Sequence, residues 1–185
     1  MELVNRQIKI NELEQLKRII DLAYQKDEEL GINFKTGQQS FSEFKQASES
    51  LTTFVAMNGN EIVSTVSVRY PWSANPSPYQ IPHLGWIATN PKYFHQGHST
   101  ELIKWVEDNF LKKVEHVDAV SLGTAVEHPW LVDFYQKLGY ETIETKRKFA
   151  DHLTVYLIKI FNKALVNDYS KLKQLGLLNL YRKEK

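Results

Sequence analysis

A loop with a single glycine separates a predicted strand from a predicted helix in the middle of the chain, and this joint could bind an anion. The apolar run of residues 83–89 is typical of a strand, and Asn90 and Pro91 end it. After Gly97, small and apolar residues recur at the spacings of one helix face: Ser99, Leu102, Ile103, Val106 and Phe110. The first N–H groups of a helix have no intrahelical acceptor, and the helix dipole adds positive charge there. Because Gly97 lacks a Cβ, a phosphate could approach the backbone, although a connection without any ligand fits the same residues.

Two histidines of this loop, His95 and His98, lie three residues apart, a spacing that also occurs in metal sites. A metal site needs three or four ligands, and no further ligand or acidic cluster is placed nearby. The chain has no cysteine, which excludes thiolate metal sites, disulfides and a cysteine nucleophile. We therefore predict that the protein binds no metal.

The composition of the 185 residues is typical of a globular protein, with 42% hydrophobic and 24% charged residues. The net charge of +1 gives no general attraction for nucleic acid. Residues 145–185 carry a net charge of +7 and the remainder −6, which we interpret as a solvated basic tail. The N-terminus is polar and no run of about 18 apolar residues occurs, so we predict a cytoplasmic protein without membrane or nucleic-acid partners.

Capping and turn signals predict the elements that would position the loop. Asn11 with Glu14 and Ser40 with Glu43 form two capping boxes, each of which predicts the start of a helix. Asn-Gly at 58–59 lies between two apolar runs and predicts a tight β-hairpin.

The order of the predicted elements indicates an α/β (α+β) protein with a mixed sheet. The helix after the central loop is expected to run to about Lys112, and a later helix begins at Pro129, with His128 as a candidate cap, and ends at Gly139. The full order is strand, two helices, three strands, helix, strand, helix and two strands. Hairpins supply antiparallel pairs of strands, and helical crossovers supply parallel ones.

Two stretches together resemble the Gcn5-related N-acetyltransferase (GNAT) superfamily. In the first, Thr89-Asn90-Pro91 and Phe94-His95-Gln96-Gly97-His98-Ser99 resemble the strand end and pyrophosphate loop of the family, with Phe94 where Gln or Arg is usual. In the second, residues 134–140 read Phe-Tyr-Gln-Lys-Leu-Gly-Tyr and match the family pattern Phe-Tyr-x-x-x-Gly-Phe/Tyr. The resemblance implies a GNAT-like, mostly antiparallel sheet of about seven strands flanked by helices over residues 1–160. Residues 161–185 would then be a C-terminal helical extension that either covers the sheet or forms a homodimer.

The resemblance also implies that acetyl-CoA is the acetyl donor. The loop would bind the pyrophosphate, chiefly through backbone N–H groups, with the residues His95, Gln96, Gly97, His98, Ser99 and Thr100. The strand residues Ile87, Ala88 and Thr89 would bind the pantetheine arm and polarise the thioester carbonyl through their backbone. His128 would contact the same arm, where the family often has Asn, or would serve only as a helix cap.

Two side chains are candidates for proton transfer. Tyr135 occupies the family position whose hydroxyl lies near the sulfur, so we expect it to be the acid that protonates the leaving thiolate; the alternative is a tyrosine that only packs on the sheet. His83 is a weaker candidate for the base, because a neutral imidazole is of the right chemical type and some family members carry a base on this strand. A water chain is the alternative to His83.

The sequence predicts an N-acetyltransferase acting directly on an amine, and the acceptor would be an amine-bearing small molecule or peptide. Aromatic residues could line its pocket or belong to the core or a lid: Phe34, Tyr70, Trp72 and Tyr79. The alternative function is a non-catalytic module that binds or senses acetyl-CoA or CoA.

Overall fold

Seven strands and five α-helices form the part of the chain that the structure, a computed structural model, describes, namely residues 3–29, 39–147 and 153–182. The strands are β1 (Val4–Gln7), β2 (Leu51–Asn58), β3 (Glu61–Arg69), β4 (His83–Thr89), β5 (Ala119–Ala125), β6 (Glu141–Lys146) and β7 (Thr154–Ile160). The α-helices are α1 (Leu13–Glu29), α2 (Phe41–Ser48), α3 (His98–Val106), α4 (Pro129–Lys137) and α5 (Tyr169–Leu175). Short 3-10 turns lie at Ile10–Glu12, Pro91–Tyr93, Lys163–Asn167 and Leu178–Leu180.

The strands form a sheet in the order β1-β2-β3-β4-β5-β7-β6. The pairs β1–β2, β5–β7 and β6–β7 are antiparallel. The pair β4–β5 is parallel and joins His83 to Ser121 and Leu84 to Leu122. This confirms the predicted mixed, mostly antiparallel sheet of seven strands flanked by helices.

The chain divides into two compact units, each with its own core. The first comprises Met1–Val68 and Gly85–Val114, and the second comprises Arg69–Leu84 and Glu115–Lys185. The core of the first unit contains Leu13, Leu16, Ile19, Ile20, Phe44, Val55, Met57, Ile62 and Ala88. The core of the second unit contains Tyr79, Ile81, Ala119, Tyr156, Ile158, Leu165, Leu172 and Leu177.

Helix α1 starts differently from its predicted capping box. The carboxylate of Glu12, rather than that of Glu14, accepts a hydrogen bond from the backbone N–H of Lys9 at 2.8 Å. Glu12 also pairs with both terminal nitrogens of Arg6, at 2.8 and 2.6 Å. Asn11 therefore lies inside a 3-10 turn, and its predicted role as the cap was wrong because Arg6 on β1 and Lys9 together hold Glu12 at the start of the helical region.

The other local signals are confirmed. Ser40 and Glu43 form a complete capping box at the start of α2: the Glu43 N–H donates to the Ser40 hydroxyl at 3.3 Å and the Ser40 N–H donates to the Glu43 carboxylate at 2.8 Å. Strands β2 and β3 are joined by a two-residue turn in which Gly59 has a φ of +58°. Gly139 follows α4 with a φ of +90°, as expected of a left-handed cap.

The helix after the central loop changes its hydrogen-bonding pattern before its predicted end. It is α-helical to Val106 and continues as one turn of π-helix over Glu107–Leu111. The π turn adds one residue to the repeat, so Leu111 is fully buried and Phe110, which the regular spacing placed on the buried face, is half-buried. The predicted helix therefore exists, and the half-buried Phe110 packs against the buried Phe54 with ring centroids 4.7 Å apart.

The C-terminal segment belongs to the core of the second unit. Its apolar side chains Leu165, Leu172 and Leu177 are buried in the same cluster as Tyr156 of β7. Asp118, just before β5, accepts a hydrogen bond from the side chain of Asn162 at 2.8 Å and forms an ion pair with Lys171. None of the described helices combines the length and the apolar character that crossing a bilayer requires.

Candidate functional site

The central loop begins at Asn90, a buried residue that attaches the end of β4 to β3. Its backbone N–H donates to the carbonyl of Val63 at 2.8 Å. Its side-chain oxygen accepts from the N–H of Lys92 at 3.2 Å, and its side-chain nitrogen donates to Glu61 at 3.2 Å. These bonds fix the place and direction in which the chain leaves the sheet.

Glu61 of β3 holds the next residues of the loop. It accepts hydrogen bonds from Lys92 at 2.9 Å and from the hydroxyl of Tyr93 at 2.8 Å. The hydrogen bonds from Lys92 and Tyr93 keep the pKa of the Glu61 carboxyl below its usual value. Because the charge of Lys92 is paired in this way, the attraction of the loop for an anion has to come mainly from its backbone.

The backbone of residues 95–100 presents N–H groups that bond to nothing in the described part of the chain. Gly97 adopts the left-handed region with a φ of +84° and is the N-cap of α3, and His95 also has a positive φ, of +61°. The first helical bond of α3 runs from Glu101 to the carbonyl of Gly97 at 3.1 Å. A Cβ built on Gly97 would meet nothing within 4 Å. The loop therefore offers adjacent amide donors, the N-terminus of a helix and open space, which together suit a phosphate group.

Two hydroxyl contacts hold the first turn of α3 in place. Thr89, at the end of β4, is hydrogen-bonded to the hydroxyl of Ser99. The hydroxyl of Ser64 on β3 donates to the carbonyl of His98 at 3.4 Å. The Nδ1 atom of His98 lies 3.6 Å from the carboxylate of Glu101 within the same turn. The predicted loop residues are thus brought together with Thr89 in the first unit.

Strand β4 contains an irregular backbone just before Ile87. Trp86 has a φ of +46°, which is costly for a bulky residue, and its ring stacks on Phe44 with centroids 4.4 Å apart. The stacking holds Trp86 in this conformation and so sets the direction of the following residues. The carbonyl of Ile87 accepts from the hydroxyl of Tyr24 at 3.5 Å, and Ala88 is buried in the core.

Tyr135 lies on α4 in the second unit and is buried. Its ring lies against Phe134 and Tyr140, at centroid distances of 5.1 and 6.1 Å. Burial raises the pKa of Tyr135 above its usual value, so the phenol is protonated at neutral pH. Among the described residues none forms a hydrogen bond with its hydroxyl, which leaves the O–H available to a ligand.

His128 is the N-cap residue of α4, but its side chain makes no capping hydrogen bond. Its backbone carbonyl accepts from the N–H of Leu131 at 2.9 Å, and its buried ring lies 5.9 Å from that of Trp130. The predicted start of this helix at Pro129 is confirmed.

His83 lies on β4 opposite Ser121 of β5 and is buried. Its Nδ1 atom is 2.9 Å from the hydroxyl of Ser121, which is itself 3.4 Å from the carbonyl of Pro82. The hydroxyl of Ser121 therefore holds the imidazole of His83 at its Nδ1 atom.

The family model described as the acetyltransferase (GNAT) family matches residues 13–140, which include the central loop, His83, His128 and Tyr135. The chain belongs to the GNAT family. The sequence-based prediction of an N-acetyltransferase is therefore confirmed, and the alternative of a non-catalytic module is set aside. Members of the GNAT family use acetyl-CoA.

Two relatives of this GNAT protein are N-acetyltransferases of Bacillus subtilis (strain 168). The chain is 33% identical to S-(2-succino)cysteine N-acetyltransferase over 146 residues, which cover 79% of this chain and 88% of that protein. It is 28% identical to S-alkylcysteine N-acetyltransferase over 143 residues, which cover 77% of this chain and 80% of that protein.

Solved structures agree on the fold of this GNAT protein. A chimera of the spermidine N-acetyltransferase SpeG from Vibrio cholerae and hSSAT superposes with a TM-score of 0.69, covering 89% of this chain and 99% of that one. At 16% identity, this likeness concerns the fold alone.

Sequence reasoning missed one charged residue of this GNAT protein, Arg69. It ends β3, belongs to the second unit and is half-buried, and its Nε atom is enclosed without a hydrogen-bond partner. Burial lowers the pKa of Arg69, while nearby Tyr156 acts in the opposite direction. An arginine at the end of a strand buried on both faces was the available signal, because such a side chain cannot be fully solvated.

The aromatic residues predicted to line an acceptor pocket of this GNAT protein differ in their exposure to solvent. Trp72 is 76% exposed and stacks on Tyr70, with centroids 4.9 Å apart. Tyr79 is buried in the core of the second unit and hydrogen-bonds to Glu144. Phe34 lies outside the described residues. No group of three or more potential metal ligands occurs in the described ranges.

Proposed function

We propose that this acetyltransferase transfers the acetyl group of acetyl-CoA to the α-amino group of an S-substituted cysteine. The observation that carries the proposal is the 33% identity to S-(2-succino)cysteine N-acetyltransferase over 88% of that protein. The 28% identity to S-alkylcysteine N-acetyltransferase supports the same acceptor class, because both names share an N-acetylated cysteine with a substituted sulfur.

The central loop is the proposed binding site for the pyrophosphate of acetyl-CoA. The N–H groups of His95, Gln96, Gly97, His98, Ser99 and Thr100 supply the donors. Their lack of acceptors among the described residues and the open space beside Gly97 fit a phosphate group. Because these contacts use the backbone, Phe94 in the first position of the loop does not remove them. Ile87, Ala88 and Thr89 are proposed to bind the pantetheine arm through their backbone, and His128 to contact the same arm.

Bound acetyl-CoA supplies an activated thioester, whose carbonyl carbon is attacked by the amine of the acceptor. A new C–N bond forms, the C–S bond breaks, the amine loses a proton and the sulfur gains one. His83 is proposed to accept the amine proton, because its buried imidazole is held in place by the hydroxyl of Ser121 at 2.9 Å. Tyr135 is proposed to donate to the leaving sulfur, since burial raises its pKa and so keeps its hydroxyl protonated.

An acceptor panel tests this proposal. Purified protein with acetyl-CoA is assayed for thiol release with S-(2-succino)cysteine, S-methylcysteine, spermidine and an alanyl peptide. We expect kcat/KM for an S-substituted cysteine to exceed that for spermidine and the peptide by at least tenfold, and the product to be the N-acetyl compound by mass spectrometry. A higher kcat/KM for spermidine or the peptide would contradict the acceptor class while leaving the family activity intact.

A further inference from the structure

Arg69 is a cation for which the described chain supplies no anion. Its Nε atom is enclosed, yet no hydrogen bond or ion pair of its side chain is made with any described residue. The residue is half-buried, so its guanidinium is neither free in solvent nor paired inside the protein. An enclosed guanidinium nitrogen without a partner costs free energy, and an unpaired charge of this kind is a candidate ligand-binding group.

The carboxylate of Glu144, which acts on the neighbouring Tyr156, already has two partners. Glu144 of β6 forms hydrogen bonds with Lys146, at 2.7 Å, and with the hydroxyl of Tyr79. These two contacts keep the pKa of Glu144 below its usual value although burial alone would raise it. Glu144 raises the pKa of Tyr156, but it forms no ion pair with Arg69 in the described part of the chain. The charge of Arg69 is therefore not neutralised by Glu144.

Tyr156 adds a second donor beside Arg69. It lies on β7 opposite Gly123 of β5, where a Cβ would come within 3.4 Å of its ring. The absence of that Cβ lets the Tyr156 ring lie across β5, where its centroid is 6.2 Å from that of His83. The hydroxyl of Tyr156 makes no hydrogen bond with the described residues, and the charge of Arg69 lowers its pKa against the larger effect of burial.

We infer that Arg69 and Tyr156 bind the α-carboxylate of the acceptor. This inference rests on the proposed function and adds the group by which the amino acid is recognised. A guanidinium matches the two oxygens of a carboxylate, and a phenol hydroxyl can donate to one of them. Because the centroid of the Tyr156 ring is 6.2 Å from that of His83, a carboxylate held by the Tyr156 hydroxyl keeps an amine one carbon away near the proposed base.

The test compares two acceptors that differ only in this group, S-methylcysteine and its carboxamide. For each variant the ratio of kcat/KM for the acid to that for the amide is divided by the wild-type ratio, so the different basicities of the two amines cancel. We expect the ratio to fall about 10- to 100-fold in Arg69→Met and about fivefold in Tyr156→Phe. Arg69→Lys keeps the positive charge but loses the paired N–H donors of the planar guanidinium, so we expect an intermediate acid-to-amide ratio.

Arg182→Met is the matched control, because this arginine is also in the second unit but is exposed and lies 3.6 Å from Glu141. It should keep the wild-type ratio, and every variant should keep the wild-type KM for acetyl-CoA. Melting curves establish whether each variant folds. If Arg69→Met does not fold, Tyr156→Phe, which removes only one oxygen atom, provides the test.

The outcomes separate this inference from the proposed function. If S-substituted cysteines are acetylated but the acid-to-amide ratio is unchanged in folded Arg69→Met and Tyr156→Phe, the carboxylate site is refuted and the proposed function stands. A second outcome is that these cysteines are poor acceptors, while other amino acids are acetylated faster than their carboxamides and Arg69→Met abolishes this difference. The carboxylate site then stands and the acceptor class is wrong. If the wild type neither acetylates amino acids nor binds S-methylcysteine in calorimetric titrations with CoA, both are refuted.

Discussion

Replacing Gly97 by alanine separates the proposed binding role of the loop from its stability. Gly97 and Gly59 both lie in the first unit with positive φ values, +84° and +58°, and a Cβ on either would meet nothing within 4 Å. An alanine at each position therefore carries only the cost of the left-handed backbone, about 1 kcal/mol. In a chain of this size, that lowers the melting temperature by roughly 2–4 °C. Both variants should show the same small loss in calorimetric melting.

Binding of acetyl-CoA should distinguish the two variants. At Gly97 the new methyl group occupies the open space beside the N–H groups of residues 95–100, where we propose that the pyrophosphate lies. Losing one hydrogen bond to a charged oxygen costs about 1.5–3 kcal/mol, which raises the dissociation constant roughly 10- to 100-fold. Gly59 is in the hairpin turn between β2 and β3, so Gly59→Ala should bind acetyl-CoA like the wild type.

Isothermal titration of both variants with acetyl-CoA and with CoA provides the measurement. The reasoning is refuted if Gly97→Ala binds within twofold of the wild type while showing the expected loss of stability. Equal weakening in Gly59→Ala would also count against it, because the loss would then follow from stability and not from the loop.

Two further predictions concern buried phenols. Tyr135→Phe should lower kcat at least tenfold with unchanged affinity for acetyl-CoA in titrations; unchanged turnover would exclude Tyr135 as the acid. Burial raises the pKa values of three tyrosines, Tyr79, Tyr135 and Tyr156, above the pKa of about 10 that a tyrosine has in the unfolded chain. Their contribution to stability is therefore complete below about pH 10 and is lost as the pH rises through the higher pKa values of the folded state. Melting temperatures should therefore fall steeply above about pH 10, with tyrosinate absorbance rising at unfolding; a flat profile to pH 11 contradicts this.

Signals that act over a few residues were readable in the sequence. Strand β4 spans the predicted residues 83–89, the Ser40 capping box is complete, and Gly59 lies in the predicted hairpin turn. The capping box and the turn depend on bonds between near neighbours, and the strand was recognised from its local run of apolar residues, so no knowledge of the fold was needed. The loop around Gly97 was found for the same reason, because a strand end, a glycine and a helix start are all local features.

Features that depend on distant residues were not readable. The start of α1 depends on Arg6 of β1 meeting Glu12, and the π turn before Lys112 depends on the packing that buries Leu111. The positive φ of Trp86 is held by stacking on Phe44 of α2. Arg69 was missed because only the packed structure shows that its guanidinium lacks a carboxylate partner.

The strand order of the second unit has a consequence for synthesis on the ribosome. Strand β7 is made after β6 but lies between β5 and β6 in the sheet. Until residues 154–160 have emerged, the nascent chain therefore exposes the edge of β5 and leaves β6 without a partner in the sheet. Unpaired edges of this kind are sites of aggregation. Nascent chains that end before β7 should consequently be the form that chaperones must protect. Once β7 has been made, it pairs with β5 and β6 at the same time.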